Sequence, residues 1–438
     1  MAQESVLSPS GLTILQLPAE LIEQCLRLCS NPTLIHLCRT SHFINELATR
    51  ALYREISVCS VGALIRCCRT LAARPTTASA LRSLSLYYPV SSTGYTQNLY
   101  DLIRRALDTA PELVHLRIST PDPRIVTALQ FRSAHPELRN FHSQLTLSAS
   151  LVEFLNQHPT LTSVEVSPFE NTRLAKDCLP GIELPALGHF AGNAQILSKL
   201  DKKAKPRAAF ISWDAMDQHP HLAIETLQSH NLRVLGCRRR GWNTDLFDIV
   251  STSLPHILWL NVANLLAVDT PPTKEYLMAV KSHLTRFKKL QRLGLQCVDT
   301  WQMGDIQCVL EEDFQTVRSW GEACSSLQQI ILPHSGTMGW YRVIDDLWIP
   351  DPRDQRGAAW LYRAVMRHEY PSWNRIVDCM KGRVSLCAST GEAFQQTQWT
   401  VRDSEMLVPS SSGIQAQEGS SSAKAWRDGS AHTAFVDL

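Results

Sequence analysis

Residues 81–86 read LRSLSL, with leucine at relative positions 1, 4 and 6, and the same spacing returns as LVHLRI from Leu113. Apolar and polar residues alternating over so short a run describe a half-buried strand. The pattern continues as LRNFHS from Leu138, LTSVEV from Leu161, LGHFAG from Leu187, AAFISW from Ala208, LRVLGC from Leu232, ILWLNV from Ile257, LQRLGL from Leu290 and LQQIIL from Leu327. The starting points lie 32, 25, 23, 26, 21, 24, 25, 33 and 37 residues apart, so the middle of the run keeps a period near 25 and the ends carry inserted loops. In six of the ten, proline stands two residues before the first apolar position: Pro111, Pro136, Pro159, Pro185, Pro206 and Pro255. Proline has no N–H and disfavours the helical region for its neighbour, so it ends a helix and opens an extended segment. Between the strand signals lie stretches of helical periodicity, such as Leu99, Leu102, Ile103, Ala106 and Leu107, or Leu151, Phe154 and Leu155. Residues 58–350 are therefore read as an α/β array of strand–helix units.

A strand and a helix every ~20–29 residues around an L-x-x-L-x-L core resembles the leucine-rich repeat. The resemblance implies a solenoid: one unit cannot bury both its strand and its helix, so neighbours stack and share a continuous core. Many such repeats carry an asparagine after the strand that bonds the adjacent turn. Here the corresponding positions hold Pro89, Pro121, Thr146 and Phe169, so no asparagine ladder is expected and the repeats are of a degenerate kind. The alternative, a doubly wound α/β domain, requires longer, fully apolar strands and a glycine-rich phosphate turn.

The stretch before the array is different. Leu21, Ile22, Cys25, Leu26 and Cys29 recur at helical spacing, in a stripe wider than one neighbouring helix covers. Pro18 and Glu20 suit a helix start. A second helix follows Asn31-Pro32 with Leu34, Leu37 and Cys38, and a third runs through Phe43, Leu47 and Leu52 to Tyr53. Three short helices make a small core, and some of the apolar surface is left for a partner. Residues 12–57 are identified as similar to an F-box, whose pattern opens Leu-Pro-x-Glu-Leu, runs into an apolar helix and closes on Phe and then Leu-Tyr-Arg. The matches are Leu17, Pro18, Glu20, Leu21, Leu26, Leu34, Leu37, Phe43, Leu47, Leu52 and Tyr53; Cys25 and Cys29 replace the customary Ile and Leu, and cysteine packs as a small hydrophobe. The following LYREISVCSVGALIRCC resembles the connection from F-box to repeats in the large F-box family of fungi. Cys25, Cys29, His36 and Cys38 are also metal-ligand types, but their spacing fits no common zinc finger, and buried structural cysteine is the preferred reading.

Beyond the array, residues 351–388 are read as a helical cap, with a helix from about Asp354 to Arg367, and residues 389–438, rich in Ser, Gln, Gly and Ala, as a disordered tail like the flexible amino-terminal residues 1–11. All eleven tryptophans lie at or after Trp213. Two readings of the aromatic end stand side by side: packing that closes the last repeat, and exposed Trp340, Tyr341 and Trp348 that anchor a target, since aromatics carry much interface energy. Arg238, Arg239 and Arg240 form a second candidate target-binding group, suited to an acidic or phosphorylated partner. The lysine-rich run from Lys199 to Arg207 precedes its strand, so the two clusters fall on opposite edges.

Chemistry is sparse. With 43 Lys+Arg against 41 Asp+Glu the net charge is only +2, which argues against a nucleic-acid partner. No apolar run approaches a membrane span and the first residues do not read as a signal peptide, so no membrane partner is expected. Thirteen cysteines without regular spacing point to reduced thiols and a cytoplasmic or nuclear location. No G-x-S-x-G, P-loop or H-E-x-x-H occurs; no cofactor, metal or catalytic residue is assigned, and His135, His158 and His189 are read as solvated turn residues. An F-box joined to leucine-rich repeats resembles the substrate receptor of an SCF-type cullin-RING ubiquitin ligase. That resemblance implies a Skp-family linker, and through it a cullin, docked on Leu17, Pro18, Leu21, Leu26, Leu34, Leu37, Phe43 and Tyr53, with a target protein on the repeats. An interaction scaffold without a ubiquitin role remains the alternative.

Overall fold

The computed structural model describes residues 17–366 apart from 90–93, 131–134, 168–178, 202, 214–219, 229–230, 266–271, 298–305, 334–337 and 345–346. The expected termini 1–11 and 389–438 lie outside the described residues. The chain forms two compact units: one runs to Leu265 and takes in Pro272–Leu295 and Ala323–Leu327, and the other holds Gln296–Glu322 and the residues after Gln328.

The first unit opens with helices α1 (Ala19–Arg27), α2 (Asn31–Leu37) and α3 (His42–Arg54), then strand β1 (Glu55–Val58). It continues through α4 (Val61–Ala73), α5 (Pro75–Ala78), β2 (Ser83–Tyr87), α6 (Gln97–Asp108), β3 (His115–Ser119), a 3-10 helix (Pro123–Leu129), β4 (Asn140–Ser143), α7 (Ala149–Asn156), β5 (Ser163–Val166) and β6 (His189–Asn193). It ends with α8 (Ala194–Leu197), β7 (Ala208–Ser212), α9 (Pro220–Leu227), β8 (Val234–Arg239), α10 (Asp245–Ser253), β9 (Trp259–Asn264), α11 (Lys274–Leu284) and β10 (Arg292–Cys297). The fold is mixed α/β. The strands lie side by side in chain order in an open sheet, parallel from β1 to β9. Connecting helices pack on their sequence neighbours along the array. Because the order never reverses, there is among the described residues no switch point of the kind at which doubly wound sheets hold ligands.

Register explains the sequence pattern. Leu84, Leu116, Phe141, Val164 and Phe190 align across β2 to β6 and are buried, while residues between them are partly exposed. The first-position residues Leu81, Leu113, Leu138, Leu161 and Leu187 are buried one turn earlier. The proline before them is a turn former: Leu113, Leu138, Leu161, Leu187 and Ile257 each donate a backbone N–H to the carbonyl three residues back, 3.1–3.3 Å away, which puts proline at the second turn position, where its fixed φ is favourable. Two expectations are corrected. The sixth unit begins at Pro206 rather than Ala208, because Ala209 and Ile211 stand in register with Phe190 and Gly192 and Pro206 is itself buried. The array also starts earlier than residue 58: Tyr53, Ile56 and Val58 repeat positions 1, 4 and 6, and β1 pairs with β2.

His135 and His158 are not solvated. Both are buried, at 2% and 1% exposure, and they tie successive turns together. The His135 Nδ1–H donates to the Ala110 carbonyl (3.1 Å), the His135 backbone N–H donates to His158 Nε2 (3.2 Å), and the His158 Nδ1–H donates to the Phe154 carbonyl (2.7 Å). Histidines thus supply inter-turn bonds of the sort asparagine supplies in regular repeats. One asparagine does act this way: Asn264, buried at the end of β9, accepts the Gly241 N–H at 2.8 Å, in a turn whose φ of +79° suits glycine.

The second unit holds α12 (Ile306–Ala323), β11 (Gln329–Ile331), β12 (Gly339–Ile344), β13 (Leu347–Pro350) and α13 (Gln355–Met366). The three strands are antiparallel neighbours. Its core is aromatic: Phe314, Trp320, Trp340, Trp348 and Trp360 are buried, with ring centroids 5.2–5.7 Å apart among Phe314, Trp340 and Trp360. The expectation of exposed Trp340 and Trp348 is therefore corrected: both have 0% exposure, because a small antiparallel sheet and two helices have few other side chains large enough to fill their core. Tyr341 is half-buried and accepts from Gln329 Nε2 at 3.2 Å. Among the described residues no helix is long and apolar enough to cross a membrane.

Candidate functional site

The amino-terminal helices hold each other through a core of Ile22, Leu26, Leu34, Ile44, Leu47 and Ala48, with Cys29, Leu37, Cys38 and Leu52 packed at its rim. Each helix is started locally. Pro18 precedes α1 and its carbonyl accepts the Leu21 and Ile22 N–H groups; Ser30 and Ser41 cap α2 and α3, accepting from Thr33 and Ile44 N–H. The wide stripe of α1 is divided. Ile22 and Leu26 turn inward, while Leu21, Cys25 and Leu28, at spacings of four and three, form a stripe left in solvent.

The expected docking residues fall into two groups. Leu17, Pro18, Leu21 and Phe43 are exposed; Leu26 and Leu34 are core, and Leu37 and Tyr53 are intermediate. Exposure is 39% for Leu17, 46% for Leu21, 88% for Leu28, 50% for Ile35 and 41% for Phe43, and these five make up most of the large apolar side chains exposed among the described residues. A satisfied helical core with apolar residues left outside it is what a docking surface requires, since scattered single exposures are ordinary but a concentration is not. Leu28 and Ile35 were missed in the sequence reading; the i+7 relation of Leu28 to Leu21 was the available signal.

A second surface is the outward side of β2 to β5, which alternates with the buried positions. Arg117 lies over the Tyr87 ring at 5.3 Å, His115 and Asn140 are joined at 2.8 Å, and His142 Nδ1 lies 2.7 Å from a Glu165 carboxylate oxygen. His142 and Glu165 share the fourth offset from their repeat starts, so the pair was visible in the sequence once the units were aligned. Beyond β5 the alternation fades: Ala191, Asn261 and Ala263 are buried as well, and the Phe210 ring lies where a side chain on Gly236 would be.

The structure separates the three arginines expected to act together. Arg238 is half-buried in the outward row, its guanidinium pushed down by burial and supported by the Glu165 charge. Arg239 makes a two-pronged pair with Asp245 at 3.0 Å, and Arg240 is exposed. Burial raises the thiols of Cys67 to about 11 and Cys68 to about 12, so they stay protonated and unreactive at neutral pH. Among the described residues no group of three or more His, Cys, Asp or Glu is placed to hold a metal ion. No protein-family model and no curated protein matches the chain.

Proposed function

We propose that the chain is a non-catalytic adaptor: an F-box-like helical module that docks on a Skp-family linker of a cullin-RING ubiquitin ligase, followed by a leucine-rich-repeat-like solenoid that holds a target protein. One observation carries the reading: Leu17, Leu21, Leu28, Ile35 and Phe43 stand in solvent around a core that is already complete without them. An apolar face on a module that does not need it for folding is a face kept for another chain. The mechanism is proximity. Holding a target beside a ubiquitin-loaded enzyme raises the effective concentration of its lysines, and no group of this chain takes part in bond making. The outward row of β2 to β5, with Arg117, His142 and Glu165, is the polar counterpart suited to target contact.

The test is binding of the full chain to a purified Skp-type linker, measured by biolayer interferometry. Leu21 and Phe43 are close to half exposed, so a partner gains about half of the ~1.5–3 kcal/mol of a full apolar burial from each. Leu21→Ala with Phe43→Ala together should weaken the complex by about 1.5–3 kcal/mol, roughly 10- to 150-fold. A linker that does not bind, or that binds wild type and double variant alike, leaves the scaffold without a ubiquitin role as the better description.

A further inference from the structure

A second feature of the first unit lies outside the docking face. α1, α3, the segment before β2 and the turn before β3 enclose a cleft of about 290 Å3 lined by Arg27, Arg50, Arg54, Arg82, Glu23 and Glu112. That volume is at the small end of ligand sites, which run from ~300 to ~1,000 Å3, and its walls are dominated by charge. Four guanidinium groups face two carboxylates in the lining, and Glu46 just outside it pairs with Arg50 at 3.6 Å, leaving one positive charge over. Glu23 is shared by Arg50 at 3.3 Å and Arg27 at 3.9 Å, and Glu112 is taken by Arg82. Arg82 is further fixed by the Ser79 carbonyl at 2.7 Å. Arg54 has no hydrogen bond or ion pair through its side chain among the described residues, although it is only half exposed.

We propose that this cleft binds a phosphate-bearing small ligand, with Arg54 as the central contact and Arg82, Arg27 and Arg50 around it. The positive charge left over in the cleft favours an anion, and a phosphate group carries about −1.5 to −2 near neutral pH. The guanidinium plane presents paired donors that fit phosphate oxygens, and arginine is the residue used where that geometry matters. Burial, and then the neighbouring charges of Arg27 and Arg82, push the Arg54 guanidinium down from its ordinary value, against the partial relief of Glu55 and Glu23. A bound dianion relieves that repulsion and supplies the missing partner. The inference does not depend on the adaptor reading: the residues that carry it are not those that carry linker docking.

The experiment is titration calorimetry of the full chain with inorganic pyrophosphate at low ionic strength, where such contacts are least screened. Saturable binding at one site is expected, weakened about tenfold or more by Arg54→Gln. Glu112→Gln should act in the opposite direction and tighten binding severalfold, because it frees Arg82; a merely damaged fold would weaken binding in both variants. A phosphoserine peptide run beside its unphosphorylated twin separates sources: binding by pyrophosphate alone identifies a free ligand, and preference for the phosphorylated twin shows that a modified chain also enters. Absence of saturation at millimolar pyrophosphate, or affinities unchanged in both variants, overturns the proposal.

Discussion

Acidification should loosen the array at its histidine ties. His135 is nearly inaccessible, and burial, followed by the charge of His158, lowers its folded value from 6.5 to about 4, against the Ala110 bond and Asp108, which favour the charged form. His158 is lowered as well, first by burial, and protonating its Nε2 would remove the acceptor that holds the His135 backbone N–H at 3.2 Å. Since the folded value lies below the unfolded one, the unfolded chain takes up protons first as pH falls. Stability is therefore intact above about pH 6.5, declines below it, and stops declining through this group near pH 4. At pH 5 the unfolded imidazole is about 1.5 units below its pKa and the folded one is still neutral, so at ~1.4 kcal/mol per unit His135 alone costs about 2 kcal/mol. The full shift corresponds to about 3 kcal/mol, and the two rings titrate as a pair. The assay is urea unfolding followed by circular dichroism from pH 7.5 to 4.5, wild type against His135→Gln, whose amide can still donate toward Ala110. Carboxylates elsewhere titrate equally in both, so the difference isolates the imidazole. The wild type should lose about 2 kcal/mol more than the variant between pH 7 and 5; parallel curves, or a variant that loses more, would refute the buried neutral pair.

Two further substitutions test packing. Leu26→Ala, in a core of six buried residues among those described, should cost about 2–5 kcal/mol and expose the amino-terminal segment to limited proteolysis, whereas Leu21→Ala should leave its protease resistance unchanged. Gly236→Ala drives a methyl group into the Phe210 ring and should destabilise the first unit by about 1–3 kcal/mol; adding Phe210→Ala should recover part of the loss in a double-mutant cycle read by thermal unfolding.

The strand order was legible because each unit repeats the same demand: a buried residue at positions 1, 4 and 6, with polar residues between. Where a unit departs in residue type, phase was lost. Pro206 fills a first position normally held by leucine, so the apolar Ala208 two residues on was read as the start. Tyr53, the first position of its unit, lies in the last turn of α3, which runs directly into β1 at Glu55, and the first strand was absorbed into the helical segment. The histidines failed for a different reason. A His-Pro pair looks like a surface turn along the chain, and only the neighbouring turn, 23 residues away in the His135–His158 case, buries it. In the second unit the same non-local rule put Trp340 and Trp348 inside.

The candidate site was legible to the extent that surplus can be counted. Leu21, Ile22, Cys25, Leu26 and Cys29 span more of a helix than α2 and α3 together cover, and the structure resolves the excess by turning Ile22 and Leu26 in and leaving Leu21 and Cys25 out. The exposed half adds nothing to the core and costs solubility, so retaining it requires a benefit elsewhere. The repeats carry no such surplus on β2 to β5: their inward rows close on one another, and the outward row is polar. The two surfaces thus differ in kind. An apolar face offers area to an invariant partner, and a row of Arg117, His142 and Glu165 offers discrimination by charge and hydrogen bonding. The proposed adaptor, joining one constant subunit to one chosen target, would use both kinds on the same chain.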